Sequence, residues 1–86
     1  MLEVSFSPAF MRKYKLLDKE LSEEVYEKIK LFKNKRNHQQ LKVHKLKGKL
    51  FNRFSFTVSY KIRIIFQYLS KNEVVFLAIG SHDVYK

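Results

Sequence analysis

The chain has 86 residues, a mass of 10.4 kDa and a formal charge of +10, which reads as one domain spanning residues 1–86 around one core. With 45% hydrophobic and 15% aromatic residues it is not compositionally disordered, and without cysteine it can hold neither a disulfide nor a thiolate metal site. No window approaches the roughly 20 apolar residues of a membrane span, and the opening MLEVSFSP lacks the basic-then-apolar order of a secretory leader, so the expected compartment is the cytoplasm.

Leu2, Val4 and Phe6 alternate with Glu3 and Ser5, which predicts a short first strand. Ser7-Pro8 is a helix start, serine as N-cap and proline at the first helical position, where its missing N–H does no harm. Phe10, Met11, Tyr14 and Leu17 follow at helical spacing, giving a helix over 8–18. A second helix begins around Lys19 to Ser22 and runs to about Lys35, with Leu21, Val25, Ile29 and Phe32 as its apolar stripe. His38 falls in the polar exit, where a solvated ring without partners is expected.

Residues 42–50 read as a basic loop around Gly48. From 51 to 59 a strand puts Phe54, Phe56, Val58 and then Tyr60 on a core face, and Arg53, Ser55, Thr57 and Ser59 on a free one. A tight turn or bulge at Tyr60-Lys61 leads to a strand over 61–69, and Ser70-Lys71-Asn72 forms a three-residue hairpin loop. The nearly continuous apolar run Glu73 to Ile79 marks a strand covered on both faces and central in its sheet. The order is β-α-α-β-β-β, an α+β fold with two N-terminal helices packed on a curved, mostly antiparallel four-stranded sheet.

Charge is distributed unevenly along this frame. Of eight acids, six lie between Glu3 and Glu27, and none lies between Lys28 and Asn72. Over residues 42–63 the cations are Lys42, Lys45, Lys47, Lys49, Arg53, Lys61 and Arg63. Such a surface suits a polyanion, either nucleic acid or an acidic protein. A membrane surface fits less well, because the cations sit in a loop and strands rather than along one amphipathic helix.

Two histidines stand where a scaffold holds working groups: His44 in the basic loop, and His82 just past the last strand, beside Asp83. An unperturbed imidazole, with a pKa of about 6.5, gives or takes a proton at neutral pH. With arginines to meet a phosphate, that chemistry fits metal-free cleavage of an RNA phosphodiester. Magnesium wants carboxylates, which the basic half lacks, and His44, His82 and Asp83 have no zinc-site spacing, so no metal or other cofactor is expected. The plainer readings stand beside this one. His44 would be a solvated loop residue, Arg63 would pair across strands with Asp83 or Glu73, and Tyr85 would close the edge of the core. On residues alone the chain is a small basic α+β domain that binds RNA or an acidic protein.

The element order, the loop HKLKGKL from His44 to Leu50, the run YKIRIIF from Tyr60 to Phe66 and the closing AIGSHDVY from Ala78 to Tyr85 together resemble the RelE/ParE toxin superfamily, and within it the RelE and YafQ-type mRNA interferases. The resemblance covers essentially the whole chain. It implies a toxin that enters the ribosomal A site, contacts ribosomal RNA and cuts mRNA there without a cofactor, and a cognate antitoxin whose acidic segment wraps it. By position it implies His44 as a catalytic residue, Arg63 at the scissile phosphate, His82 as general acid or base, and Tyr85 against the cleaved nucleotide. Lys42, Lys45, Lys47, Lys49, Arg53 and Lys61 would hold RNA. The chain departs from the RelE branch where Phe54 and Phe56 fall near its strand lysines and His82 stands near its second arginine, which implies a histidine-centred, YafQ-like scheme. The alternative is a toxin of the ParE branch, which inhibits DNA gyrase and shares the fold without this catalytic set, or a catalytically inactive relative that binds an antitoxin.

Overall fold

A computed structural model of the chain describes residues 1–48, 52–81 and 84. It contains β1 (Glu3–Phe6), α1 (Pro8–Tyr14), α2 (Lys19–Phe32), a 3₁₀ turn (Lys35–Asn37), β2 (His44–Lys45), β3 (Phe54–Thr57), β4 (Arg63–Ser70) and β5 (Glu73–Gly80). The strands form one sheet in the order β1-β5-β4-β3-β2, with β1 parallel to β5 and the other pairs antiparallel. The α+β architecture and element order are as expected, but the sheet has five strands rather than four. The extra one lies in the basic loop, where His44 pairs with Ser55 and Lys45 with Phe54. Two residues are too short a run for alternation to reveal. The last strand, β5, is interior between β1 and β4, and β4 holds the middle of the sheet.

Both helices stop earlier than their periodicity suggests, for reasons written in side chains. Asp18 is extended (φ −68°, ψ 168°) so that its carboxylate can accept from Leu21 N at 2.8 Å and cap α2, and the chain must therefore leave α1 after Tyr14. At the far end of α2, Asn37 Nδ2 donates to the Leu31 carbonyl at 2.9 Å and His38 Nε2 donates to the Phe32 carbonyl at 2.8 Å. These bonds satisfy carbonyls that a longer helix would have used. His38 also stacks on Phe32 at 4.7 Å between centroids, so it is a helix-terminating group rather than a solvated ring without partners.

Val25, Ile29 and Phe32 of α2 and Phe10 of α1 bury their side chains against Phe56, Ile64, Phe66, Val74, Phe76 and Ile79 on one face of the sheet. Phe32 is the hub, stacked on Phe56 at 4.6 Å and edge-on to Phe66 at 4.8 Å and Phe76 at 5.3 Å. Such pairs add about 0.5–1.5 kcal/mol each beyond the area they bury. Ser7 ties α1 to this sheet, since its Oγ accepts from Phe10 N and donates to the Leu77 carbonyl.

Two expectations for the third strand need correction. Ser55 has 0% exposure, although alternation puts it on the nominally free face. Its direct neighbours across the sheet are His44 and Ile65, and a small side chain between two larger ones is shielded. Tyr60, expected in the core, is 88% exposed. The register ends at Thr57–Arg63, so residues 58–62 form a turn closed by Val58 and Ser59 N–H groups donating to the Ile62 carbonyl, and strand parity stops before Tyr60. The hairpin after β4 is tighter than expected: Ser70 belongs to the strand, and Lys71 and Asn72 make the turn.

Candidate nucleic-acid interface

One row of the sheet organises the site. Arg63 opens β4 and lies between Thr57 at the end of β3 and Gly80 at the end of β5. Two strands finish where the middle strand starts, so the turn over 58–62 and the chain leaving Gly80 meet there. Tyr60, Lys61, Arg63 and Ser81 line a cleft of about 430 Å³ at this end of the sheet, within the roughly 300–1,000 Å³ range of small-ligand sites. Arg63 is half-buried, and its Nη1 donates to the Ser59 carbonyl at 2.8 Å and, at 3.3 Å, to those of Tyr60 and Ile62. The guanidinium carries three further N–H donors on Nε and Nη2. One group therefore clamps the turn and supplies charge to the cleft. The cross-strand ion pair considered for Arg63 is not formed with Glu73, which sits at the opposite end of β5 beside Ser70, and Asp83, the other partner considered, lies outside the described residues.

His44 reaches the same face by register. It stands opposite Ser55, Ser55 stands opposite Ile65, and Arg63 is two residues before Ile65. With strands about 4.8 Å apart and a rise of about 3.3 Å per residue, its Cα lies roughly 12 Å from that of Arg63. Its Nδ1 is 2.9 Å from the Lys42 carbonyl, and a carbonyl only accepts, so Nδ1 carries the proton. In the neutral ring this leaves the lone pair on Nε2. Lys42 presents that carbonyl from a left-handed conformation (φ 59°).

The remaining cations divide. Lys61 lines the cleft. Lys45 pairs with Phe54 and so belongs to the face opposite His44. Arg53 is exposed, four residues along β3's line from the Arg63 row, and its carbonyl accepts from Leu46 N. Lys42 and Lys47 are exposed on either side of β2. Lys49, His82 and Tyr85 lie outside the described residues; His82 is the next residue in sequence after the cleft-lining Ser81. Among the described residues the ion pair present is Glu27–Lys30 on α2, remote in sequence from the cleft cations. No described group of three or more His, Cys, Asp or Glu side chains is arranged to hold a metal ion. No helix among the described residues is long and apolar enough to cross a membrane. Tyr60, which the sequence pattern assigns to the core, instead lines the cleft.

A second concavity lies on the helical side, where Phe6, Phe10, Met11, Tyr14, Tyr26 and Ile29 form an apolar groove of about 330 Å³ edged by Lys30 and Lys33.

No family model and no curated protein sequence matches the chain. Solved structures do match its fold. YafQ from E. coli strain BL21(DE3) superposes with a TM-score of 0.78 at 16% identity, covering 99% of this chain and 98% of that one. The YoeB–YefM complex from Staphylococcus aureus gives 0.74 at 21% identity, covering 95% and 98%. The toxin–antitoxin complex RelBE2 from Mycobacterium tuberculosis gives 0.73 at 17% identity, covering 94% and 98%. The chain thus shares its fold with these YafQ, YoeB and RelBE2 structures.

Proposed function

We propose that this chain is the toxin of a toxin–antitoxin pair and a ribosome-dependent mRNA endonuclease that works without a metal. The observation that carries the reading is the placement of Arg63 in a cleft whose described lining holds no carboxylate, on the same sheet face as a histidine whose Nε2 lone pair is fixed by register and tautomer. In this scheme His44 Nε2 takes the proton of a ribose 2′-OH, and the oxygen attacks the adjacent phosphorus. The bond to the 5′-oxygen breaks as that oxygen receives a proton, leaving a 2′,3′-cyclic phosphate and a free 5′-OH. Arg63 Nε and Nη2 face the negative charge that builds on the phosphoryl oxygens. His82 is the proposed proton donor and Tyr85 the proposed contact of the cleaved nucleotide. Lys42, Lys47, Lys49, Arg53 and Lys61 add salt-dependent affinity for RNA without choosing sequence. The apolar groove edged by Lys30 and Lys33 fits an amphipathic, acidic segment of an antitoxin, in keeping with the fold's likeness to the YoeB–YefM complex.

Brief induction of the wild-type chain in cells, followed by mapping of mRNA 5′ ends with His82→Ala alongside, tests this reading. New cuts within translated messages, absent from the variant, are expected. Intact mRNA with arrested growth and altered DNA topology would sink the nuclease and favour a gyrase-directed toxin.

A further inference from the structure

We infer that Tyr60 is a nucleobase-stacking residue that seats one base of single-stranded RNA at the lip of the Arg63 cleft. The inference rests on the RNA-cleaving reading and deepens it. Tyr60 is 88% exposed, the largest exposure of any described aromatic side chain, at the tip of a turn rather than in a mobile tail. The turn is held from beneath by Arg63 Nη1, which accepts no proton but donates to the carbonyls of Ser59, Tyr60 and Ile62, and from its ends by the Ile62 carbonyl. A ring on a clamped backbone loses little freedom on binding, so contact with it is worth more.

The surroundings select the ligand. Lys61 and Arg63 flank the ring in the cleft, and no carboxylate occurs between residues 28 and 72. A protein partner would offer the ring an apolar pocket; a single strand offers a π face and a phosphate together, matching an aromatic beside two cations. The cleft's free volume of about 430 Å³ admits one nucleotide. A tyrosine that served the core would be covered; the core-forming aromatics Phe56 and Phe66, on the neighbouring strands, have 0% exposure.

The test uses a 2′-O-methyl single-stranded RNA, which the chain cannot cut, and the same strand made abasic throughout. Binding of wild type, Tyr60→Phe and Tyr60→Ala is followed by fluorescence anisotropy at low salt. Stacking on one base is worth a loss of roughly 5- to 150-fold on removal of the ring. Tyr60→Ala is expected to lose affinity in that range, Tyr60→Phe to bind as wild type, and all three to bind the abasic strand equally. Because the chain has no tryptophan, Tyr60→Trp gives a single indole whose emission is quenched by the base-bearing strand and not by the abasic one. Equal binding by wild type and Tyr60→Ala, or an equal loss on both strands, overturns the stacking role while leaving the nuclease reading in place. A loss in Tyr60→Phe as large as in Tyr60→Ala assigns the effect to the hydroxyl and also overturns it. Failure of wild type to bind either strand overturns the stacking role, while the ribosome-dependent nuclease reading is decided separately by the mapping of mRNA 5′ ends.

Discussion

Replacing Arg63 separates two roles that the structure gives to one side chain. The 2.8 Å bond from its Nη1 to the Ser59 carbonyl is charge-assisted and worth about 1.5–3 kcal/mol. The two at 3.3 Å lie beyond the usual range for N–H···O bonds and add little. Arg63→Ala should therefore cost about 2 kcal/mol of stability. For a chain of this size each kcal/mol moves the melting temperature by about 4–8 °C, so a fall of about 8–16 °C is expected in thermal unfolding by circular dichroism. Cleavage of ribosome-bound mRNA, assayed well below that melting point, should fall further than folding explains, by about 10²–10³, the usual loss of one preorganised donor at a charged transition state. Arg63→Lys retains a point charge that can reach one carbonyl, but not a planar group that can hold the turn and a phosphate at once. It should recover most of the stability and little of the cleavage. An unchanged melting temperature in Arg63→Ala would refute the clamp, and full cleavage by Arg63→Lys would reduce the residue to generic charge.

Three further outcomes follow from the same geometry. His38→Ala removes a bond to the Phe32 carbonyl and a stacked ring, about 1.5–3 kcal/mol together; urea unfolding should show this at constant slope, with RNA cleavage below the midpoint unaffected. Lys61→Gln should lower the slope of log affinity against log salt by about 0.7, as for one lost single-strand phosphate contact, whereas Lys45→Gln, on the other sheet face, should change it less; equal slopes would argue for diffuse attraction. Lys42→Gly relieves a left-handed residue (φ 59°) without moving the carbonyl that fixes His44, so stability should rise by up to about 1 kcal/mol, with RNA affinity weakened by the lost cation but cleavage kept at saturating substrate. A large loss of cleavage in Lys42→Gly would place the lysine side chain itself in the chemistry.

Much of the fold was legible because it rests on patterns that survive without tertiary context. The Ser7-Pro8 start, the α2 stripe through Val25, Ile29 and Phe32, and the apolar run of β5 each follow from local periodicity and capping. The misreadings cluster where one residue serves two elements. Asp18 was assigned to the end of one helix and instead caps the next; His38 was assigned to solvent and instead ends α2. Their partners, Leu21 N and the Phe32 carbonyl, are local in sequence, but nothing in composition says which of several polar residues will take them. The site was legible in part. Arg63 was expected inside a strand over 61–69 and instead opens that strand, and Tyr60 was misassigned because alternation was carried one turn too far. The relation of His44 to Arg63 depends on a two-residue strand pairing, which only the three-dimensional register supplies.

That register explains why a site of this kind sits at the end of a sheet. His44, Tyr60 and Arg63 come from an edge strand, a turn and the middle strand, and none is held by a sequence neighbour alone. What fixes His44 and Arg63 within that register is a backbone carbonyl: that of Lys42 for His44 and chiefly that of Ser59 for Arg63. The carbonyls that hold Arg63 do not themselves cancel its charge, whereas a carboxylate partner would hold it just as firmly and neutralise it. A surface without acids from residue 28 to residue 72 is then more than an attractor of polyanions. It is the condition under which an arginine can be held in place and still offer its full charge to a phosphate.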